Sequence, residues 1–250
     1  ALHGQVYACR FVPGALLGDG LDGPGCRRVL DWLEERFWRG RAVDPAAFAG
    51  WCRAFYRDKT LDRLRGYFLH RRRDDEEQPI LTINGLPCRS VRANLDALGE
   101  ALWQGGLPST FHGDLHDHNI LRTAEGYALI DWRDEFAGSL EVGDRYYDLA
   151  KFLHTLDLSV EAMAAGAYDI APDGMGIRIR HRDTPALAAA RAAFWDFAAA
   201  RGYDTARIAR LNALVFVNMA PLYEGEMADY LYNLGRLRLE QALAEPPVLP

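Results

Sequence analysis

The spacing of apolar residues predicts helices over most of the chain. Val29, Leu30, Leu33 and Phe37 fall on one helical face, and comparable spacing recurs in many later segments. The predicted helices cover residues 26–38, 45–56, 60–71, 90–103, 144–156, 185–201, 205–222 and 226–244.

Capping residues support several of these boundaries. Asp44 precedes Pro45, which suits an N-cap followed by proline at the first helical position. Thr184 and Thr205 are predicted N-caps for two of the later helices. Pro221 is expected to kink or end its helix, because proline cannot donate a backbone hydrogen bond.

Two turn sequences predict β-hairpins between the helices. Asn84-Gly85 and Asp173-Gly174 each separate two short apolar runs, and such pairs favour tight hairpin turns. The predicted strands cover residues 4–14, 80–83, 86–88, 168–170 and 177–179. The pattern therefore predicts an α+β fold that is mostly helical, with short hairpins and no internal repeat.

Composition narrows the class of protein. About half of the 250 residues are hydrophobic (49%), and the formal net charge is -6. This charge disfavours an extended nucleic-acid-binding surface, and no apolar run is long enough to span a membrane. The cysteines do not form C-x-x-C pairs, so we expect free thiols and a cytoplasmic protein.

One segment has the polar residues that phosphoryl transfer requires. His112-Gly113-Asp114 is followed by Asn119, and the apolar residues 128–130 precede Asp131. One carboxylate can orient or deprotonate an attacking hydroxyl, while an amide oxygen and a second carboxylate can hold Mg²⁺ against nucleotide phosphates. Hard oxygen ligands of this kind suit Mg²⁺.

At these residues the chain resembles the aminoglycoside phosphotransferase and choline kinase group, which is related to the protein kinases. The segment 143–150 resembles a further motif of that group, Gly-Asp-x-x-x-Asp-Leu-Ala. The resemblance implies that Asp114 is the catalytic base and that Asn119 and Asp131 bind Mg²⁺ and the nucleotide. His116 has two interpretations, a contact with the nucleotide phosphates or a solvent-facing side chain.

The resemblance also implies a domain arrangement. Residues 1–14 resemble the hinge of the family, and residues 15–250 resemble the larger, C-terminal lobe of a protein-kinase-like fold. No glycine-rich phosphate loop precedes Asp114, and the chain has only two lysines, Lys59 and Lys151. The nucleotide-binding lobe is therefore expected upstream of Ala1.

Further segments resemble phosphotransferase-like proteins of bacterial surface-polysaccharide gene clusters. These segments are residues 55–64, 131–138, 146–154 and 218–222. In some such proteins a sugar-nucleotide transferase domain precedes the kinase-like part, so the implied partners are an upstream lobe or such a domain. The implied activity is transfer of phosphate from ATP or GTP to a hydroxyl of a small molecule, with a sugar or sugar derivative as the acceptor.

Other functions remain open at this point. A catalytically silent kinase-like module would bind a ligand or partner enzyme without transferring phosphate. The imidazoles of His112, His116 and His118 could instead bind Zn²⁺ or Mn²⁺ in a hydrolase.

The roles of several charged residues are also open. Asp144 and Asp148 lie one turn apart at a predicted helix start, which favours a structural role in bracing the motif segment. Residues 133–135 suit either an acceptor contact or surface charge. Lys59 and Arg63, one helical turn apart, suit either ligand binding or a polar helix face.

Overall fold

A computed structural model describes residues 11–18, 21–71 and 78–244. The predicted strand over residues 4–14 and its hinge-like sequence lie mostly outside these residues, as does Cys9. The three cysteines within the described residues, Cys26, Cys52 and Cys88, are buried free thiols.

The helices agree closely with those predicted from apolar spacing. They are α1 (Gly23–Trp32), α2 (Pro45–Arg53), α3 (Lys59–Arg71), α4 (Val91–Leu98), α5 (Arg145–Asp157), α6 (Val160–Ala164), α7 (Pro185–Ala200), α8 (Thr205–Met219) and α9 (Gly225–Ala244). The short α6 was not predicted. The mostly helical α+β class is confirmed.

Side-chain caps determine where several helices begin. The carboxylate of Asp44 accepts a hydrogen bond from the backbone N–H of Ala47, as predicted for the start of α2. The predicted cap of α8 was wrong. Asp204 rather than Thr205 accepts the bond from the N–H of Arg207, because Thr205 is already the first helical residue.

Two helix ends also differ from the prediction. A wider π-helical segment, Ala54–Asp58, joins α2 to α3 without a break. Gly99, at φ +50°, ends α4, and a short 3-10 helix, Gly99–Leu102, follows. Pro221 lies in the 3-10 helix Ala220–Leu222 that follows α8, as expected for a residue that ends a helix.

The strands of the described residues form three small sheets. The strands are β1 (Ala15–Leu16), β2 (Ile80–Ile83), β3 (Leu86–Arg89), β4 (Pro108–Ser109), β5 (Ile120–Thr123), β6 (Gly126–Leu129), β7 (Gly143–Asp144), β8 (Tyr168–Asp173) and β9 (Gly176–His181). Their order is β1-β5-β6, β3-β2-β9-β8 and β4-β7. Both predicted hairpins are present, and β2 and β9 join them through a parallel pairing of Ile83 with Ile177.

The hydrophobic core is one cluster that draws on both halves of the described chain. Helix α8 packs along α9 and against α5, and α7 packs on α1. Every residue of α8 from Leu211 to Met219 is buried. Helix α5 binds the segment 111–119 through Asp148, and β5 follows that segment directly, so the polar motif lies between a helix and a sheet.

Candidate active site

A buried carboxylate of α5 holds the segment that carries the motif. The backbone N–H groups of His112 and Gly113 donate to the two oxygens of Asp148, at 2.9 and 2.8 Å. The indole N–H of Trp38 donates to the same carboxylate at 3.1 Å. Burial raises the pKa of Asp148 to about 6, although these hydrogen bonds oppose the shift.

Asp144, the residue directly before α5, has a similar structural role. Asp144 caps α5 through the N–H of Tyr146 and also accepts from the N–H of Leu107. The Tyr56 hydroxyl donates to Asp144 at 2.8 Å, and the Arg207 guanidinium lies 3.1 Å away. The expected bracing role of Asp144 and Asp148 agrees with this geometry.

His112 fixes the conformation of the motif. Its Nδ1 accepts from the backbone N–H of Asp114 at 3.2 Å, so its Nε2 carries the proton and donates to the carbonyl of Ile130 at 2.7 Å. Burial lowers the pKa of His112, which favours this neutral imidazole. Both ring nitrogens are therefore occupied.

The carboxylate of Asp114 is the most exposed acid of the loop. Its Oδ1 lies 3.1 Å from the ammonium of Lys151, and its Oδ2 lies 3.7 Å from Nε2 of His116. Burial alone would raise the pKa of Asp114, but Lys151 outweighs it and the pKa is lowered. Asp114 is therefore ionised at neutral pH.

Asn119 connects Asp114 to the hairpin. Its amide Nδ2 donates to the backbone carbonyl of Asp114 at 3.0 Å and lies 3.4 Å from the Asp114 carboxylate. Its backbone carbonyl accepts from the N–H of Ile130 at 3.0 Å. No hydrogen bond within the described residues uses the amide oxygen of Asn119, so this oxygen is available as a ligand.

Asp131 follows β6 in a strained conformation. Its φ is +55°, a left-handed value that Asp tolerates better than most residues, and its side chain is exposed. The adjacent Ile130 binds the backbone of Asn119, which brings the two predicted metal ligands to the same end of the hairpin. A free amide oxygen and an exposed carboxylate are hard oxygen donors, and they fit Mg²⁺ with phosphates and water as its other ligands.

His116 is uncharged at neutral pH. Burial and the nearby Lys151 lower its pKa to about 4. Its Nδ1 accepts from the N–H of His118 at 3.3 Å, so its protonated Nε2 faces Asp114. This position beside the Asp114 carboxylate suits a phosphate contact, although the side chain remains partly exposed.

The three imidazoles do not converge on a common point. His118 pairs with Glu161 at 2.9 Å, while both nitrogens of His112 are bonded elsewhere. Among residues 11–18, 21–71 and 78–244, no group of three or more His, Cys, Asp or Glu side chains is arranged to hold a metal ion. This geometry opposes the hydrolase hypothesis.

Lys151 is the site residue that the sequence did not reveal. It lies on α5 one helical turn after Tyr147 and three residues after Asp148, and its side chain is largely buried against Asp114. Two sequence features could have indicated Lys151. It directly follows the family-like segment 143–150, and it is one of only two lysines in the chain.

A cavity of about 700 Å³ lies beside the turn between β5 and β6. It is lined by residues 11–14, Trp32, residues 122–125, Tyr127 and Ala128. Its size suits a small organic ligand. The cavity adjoins both the end of the hinge-like sequence and the hairpin that leads to Asp131.

Comparison with solved structures defines the class of fold. Glucosamine kinase in two crystal forms overlaps the chain with a TM-score of 0.51 at 16% identity over 89% of this chain. The chain spans about half the length of that kinase, 51% and 52% in the two forms. A choline kinase from Cryptosporidium parvum overlaps less well, with a TM-score of 0.39 at 14% identity over 94% of this chain and 68% of its own. The overlap with glucosamine kinase shows that the chain has a kinase-like fold.

The family follows from the sequence itself. Residues 5–207 match the model of the phosphotransferase enzyme family, and the chain belongs to that family. No curated protein matches the chain. Within the described residues, no helix combines the length and apolar character needed to cross a membrane.

Proposed function

We propose that the protein is a Mg²⁺-dependent small-molecule kinase that transfers the terminal phosphate of ATP or GTP to a hydroxyl of a sugar or sugar derivative. The observation that carries the proposal is the ionised carboxylate of Asp114, positioned beside Asn119 at the end of the hairpin that delivers Asp131.

The transfer is a single displacement at phosphorus. The acceptor oxygen bonds to the terminal phosphorus as the bond from that phosphorus to the bridging oxygen breaks, and the nucleoside diphosphate leaves. Asp114 orients the hydroxyl and accepts its proton. Because its pKa is lowered, Asp114 is a weak base, so we expect it to take the proton late in the transfer.

The donor phosphates require positive charge and hydrogen-bond donors. The amide oxygen of Asn119 and the carboxylate of Asp131 would hold Mg²⁺, which neutralises phosphate charge when bound. The protonated Nε2 of neutral His116 would donate to a phosphate oxygen. The cavity along residues 11–14 would hold the nucleotide base.

Two further parts of the proposal rest on sequence resemblance. These are a phosphate-contacting lysine from a separate nucleotide-binding lobe or transferase domain, and a role in surface-polysaccharide synthesis. The proposed cytoplasmic location rests on the absence of C-x-x-C pairs.

Metal dependence tests the assignment of Asp131. We expect Mg²⁺ to strengthen ATP binding in wild type and in Asp134→Ala, an exposed acid of the same loop, but not in Asp131→Ala. Calorimetry with and without Mg²⁺ measures this, and thermal melting checks folding. Equal enhancement in all three proteins would remove Asp131 from the metal site.

Phosphate transfer from labelled ATP to a panel of sugars tests the activity itself. Transfer that depends on Mg²⁺ is expected when the protein includes the nucleotide-binding lobe that the resemblance implies. ATP binding without transfer to any acceptor would favour the silent kinase-like module instead.

A further inference from the structure

Four basic side chains gather on one side of Asp114. We call Lys59, Arg63, Arg133 and Lys151 the basic cluster. Lys59 and Arg63 lie one helical turn apart on α3, and Lys151 lies on α5. Arg133 comes from the loop after Asp131, where its side chain packs directly on Gly113.

Two aromatic rings form the floor of the cluster. The ammonium of Lys59 lies 3.1 Å from the ring centroid of Phe55 and 5.5 Å from that of Tyr147. The guanidinium carbon of Arg133 lies 5.4 Å from the same Phe55 centroid. The two rings are in edge contact at 4.8 Å, so cations from α3 and the loop converge on one surface.

The positive charge of the cluster is not balanced. Lys151 is paired with Asp114, whereas Arg63 donates only to the neutral backbone carbonyl of Asn218, at 2.6 Å. Within the described residues, the side chains of Lys59 and Arg133 make no hydrogen bond or ion pair, and the buried Nε of Arg133 is unsatisfied.

Packing like charges together without a counterion is unfavourable. Burial, with Arg133, Arg63 and Lys151, lowers the pKa of Lys59 to about 6. The arginines remain charged at any physiological pH, so an arriving anion would find two fixed cations and a lysine ready to take up a proton. Such an arrangement is typical of a site that binds an anion.

We propose that the acceptor of the transferred phosphate is itself an anion, whose carboxylate or phosphate group binds the basic cluster while its hydroxyl faces Asp114. The inference deepens the proposed function and rests on it. A neutral sugar would leave the unpaired cations without a partner.

The position of the cluster favours the acceptor over the nucleotide. The Oδ2 of Asp114 faces His116 and Asn119, whereas its Oδ1 faces Lys151. Lys59 and Arg63 belong to α3, which packs on α8 and the 3-10 helix Ala220–Leu222. Lys151 of the cluster thus contacts one oxygen of Asp114, while two side chains proposed to bind the donor phosphates or their Mg²⁺ lie at the other oxygen.

Three sugars that share one ring provide the probes. Calorimetry without nucleotide or Mg²⁺ compares glucose, glucuronate and glucose 6-phosphate, which are neutral, carboxylate-bearing and phosphate-bearing. We expect at least one of the two anions to bind at least about tenfold more tightly than glucose, as one charge-assisted hydrogen bond would provide. The two anions distinguish a carboxylate from a phosphate acceptor.

Arg63→Gln tests whether the cluster causes the preference. It should remove most of the preference for an anion, Arg63→Lys should restore part of it, and Arg65→Gln should leave it unchanged. Arg65 is a matched control because it lies on the same helix but is exposed and pairs only with Asp62 among the described residues. Thermal melting of each variant shows whether it is folded.

The possible results show separately whether the anionic acceptor is wrong and whether the kinase proposal is wrong. Equal binding of all three sugars overturns the anionic acceptor, while transfer to glucose would leave the kinase proposal standing. Weaker ATP binding by Arg63→Gln, with an unchanged anion preference, also overturns it and assigns the cluster to the nucleotide. Tight binding of an anion that is not phosphorylated, while glucose is phosphorylated, overturns the anionic acceptor and leaves the kinase proposal standing.

Discussion

At the scale of single residues, Asp114 is held between two different environments. One oxygen faces an ammonium and the other faces an amide and an imidazole. The sequence motif places Asp114 and Asn119 in one short segment, which accounts for their contact, although Asn119 was predicted only as a metal ligand. It could not predict Lys151, since only the packing of α5 against the loop brings these residues together.

Lys59 should make stability depend on pH. Its pKa is about 6 in the fold and about 10.4 in an unfolded chain, so between these values the unfolded state binds more protons. Stability should therefore rise as pH rises through this window, by at most about 1.4 kcal/mol per pH unit.

The Lys59→Met variant isolates this contribution. Melting temperatures of wild type and Lys59→Met, measured from pH 6.5 to 9.5 in phosphate-free buffers, should converge as pH increases. Parallel curves would mean that Lys59 keeps an ordinary pKa in the fold.

At the scale of elements, α5 positions the loop that carries Asp114 through Asp148. Replacing this acid with Asn removes one acceptor oxygen from a group that binds two backbone N–H groups and an indole. We expect Asp148→Asn to lower stability by about 1–3 kcal/mol and also to reduce turnover, because the loop would lose its support.

Asp157→Asn separates support of the loop from general stability. Asp157 is also a buried acid of α5, but it pairs with Arg238 at 2.9 Å, away from the loop. This variant should melt earlier and retain its turnover at temperatures where it is folded. Equal losses of turnover in the two variants would argue against a specific role for Asp148.

Adding one methyl group should have opposite effects on stability at two glycines. A Cβ on Gly143 in β7 would lie 2.3 Å from the ring of Phe111, so Gly143→Ala should destabilise the protein by about 1–3 kcal/mol. Gly66 in α3 has open space, so Gly66→Ala should stabilise it by about 0.5–1 kcal/mol. Chemical denaturation measures both, and a neutral Gly143→Ala would contradict the close packing under the loop.

Local signals explain which elements could be predicted. The Asn84-Gly85 turn specified its hairpin because both residues adopt positive φ, at 51° and 81°. The continuous passage from α2 to α3 was missed, because apolar spacing does not reveal a π-helical junction.

At the scale of the whole molecule, the features that the sequence did not predict depend on contacts between residues far apart in the chain. The hairpins around Asn84 and Asp173 join in one sheet through Ile83 and Ile177, which are far apart in the chain. The basic cluster likewise combines α3, α5 and a loop. The sequence shows that each residue of the basic cluster is charged, but only tertiary packing brings these residues together beside Asp114.

Single-turnover phosphate transfer by Asp114→Asn is the most direct test of the central claim. Asn keeps the shape of the side chain and removes its charge, so nucleotide affinity should change little. The rate of transfer should fall at least about 10²-fold, as expected when a proton acceptor is lost. Asp134→Asn, an exposed acid nearby, should remain close to wild type. A folded Asp114→Asn protein that transfers phosphate at nearly the wild-type rate would contradict the assignment of Asp114.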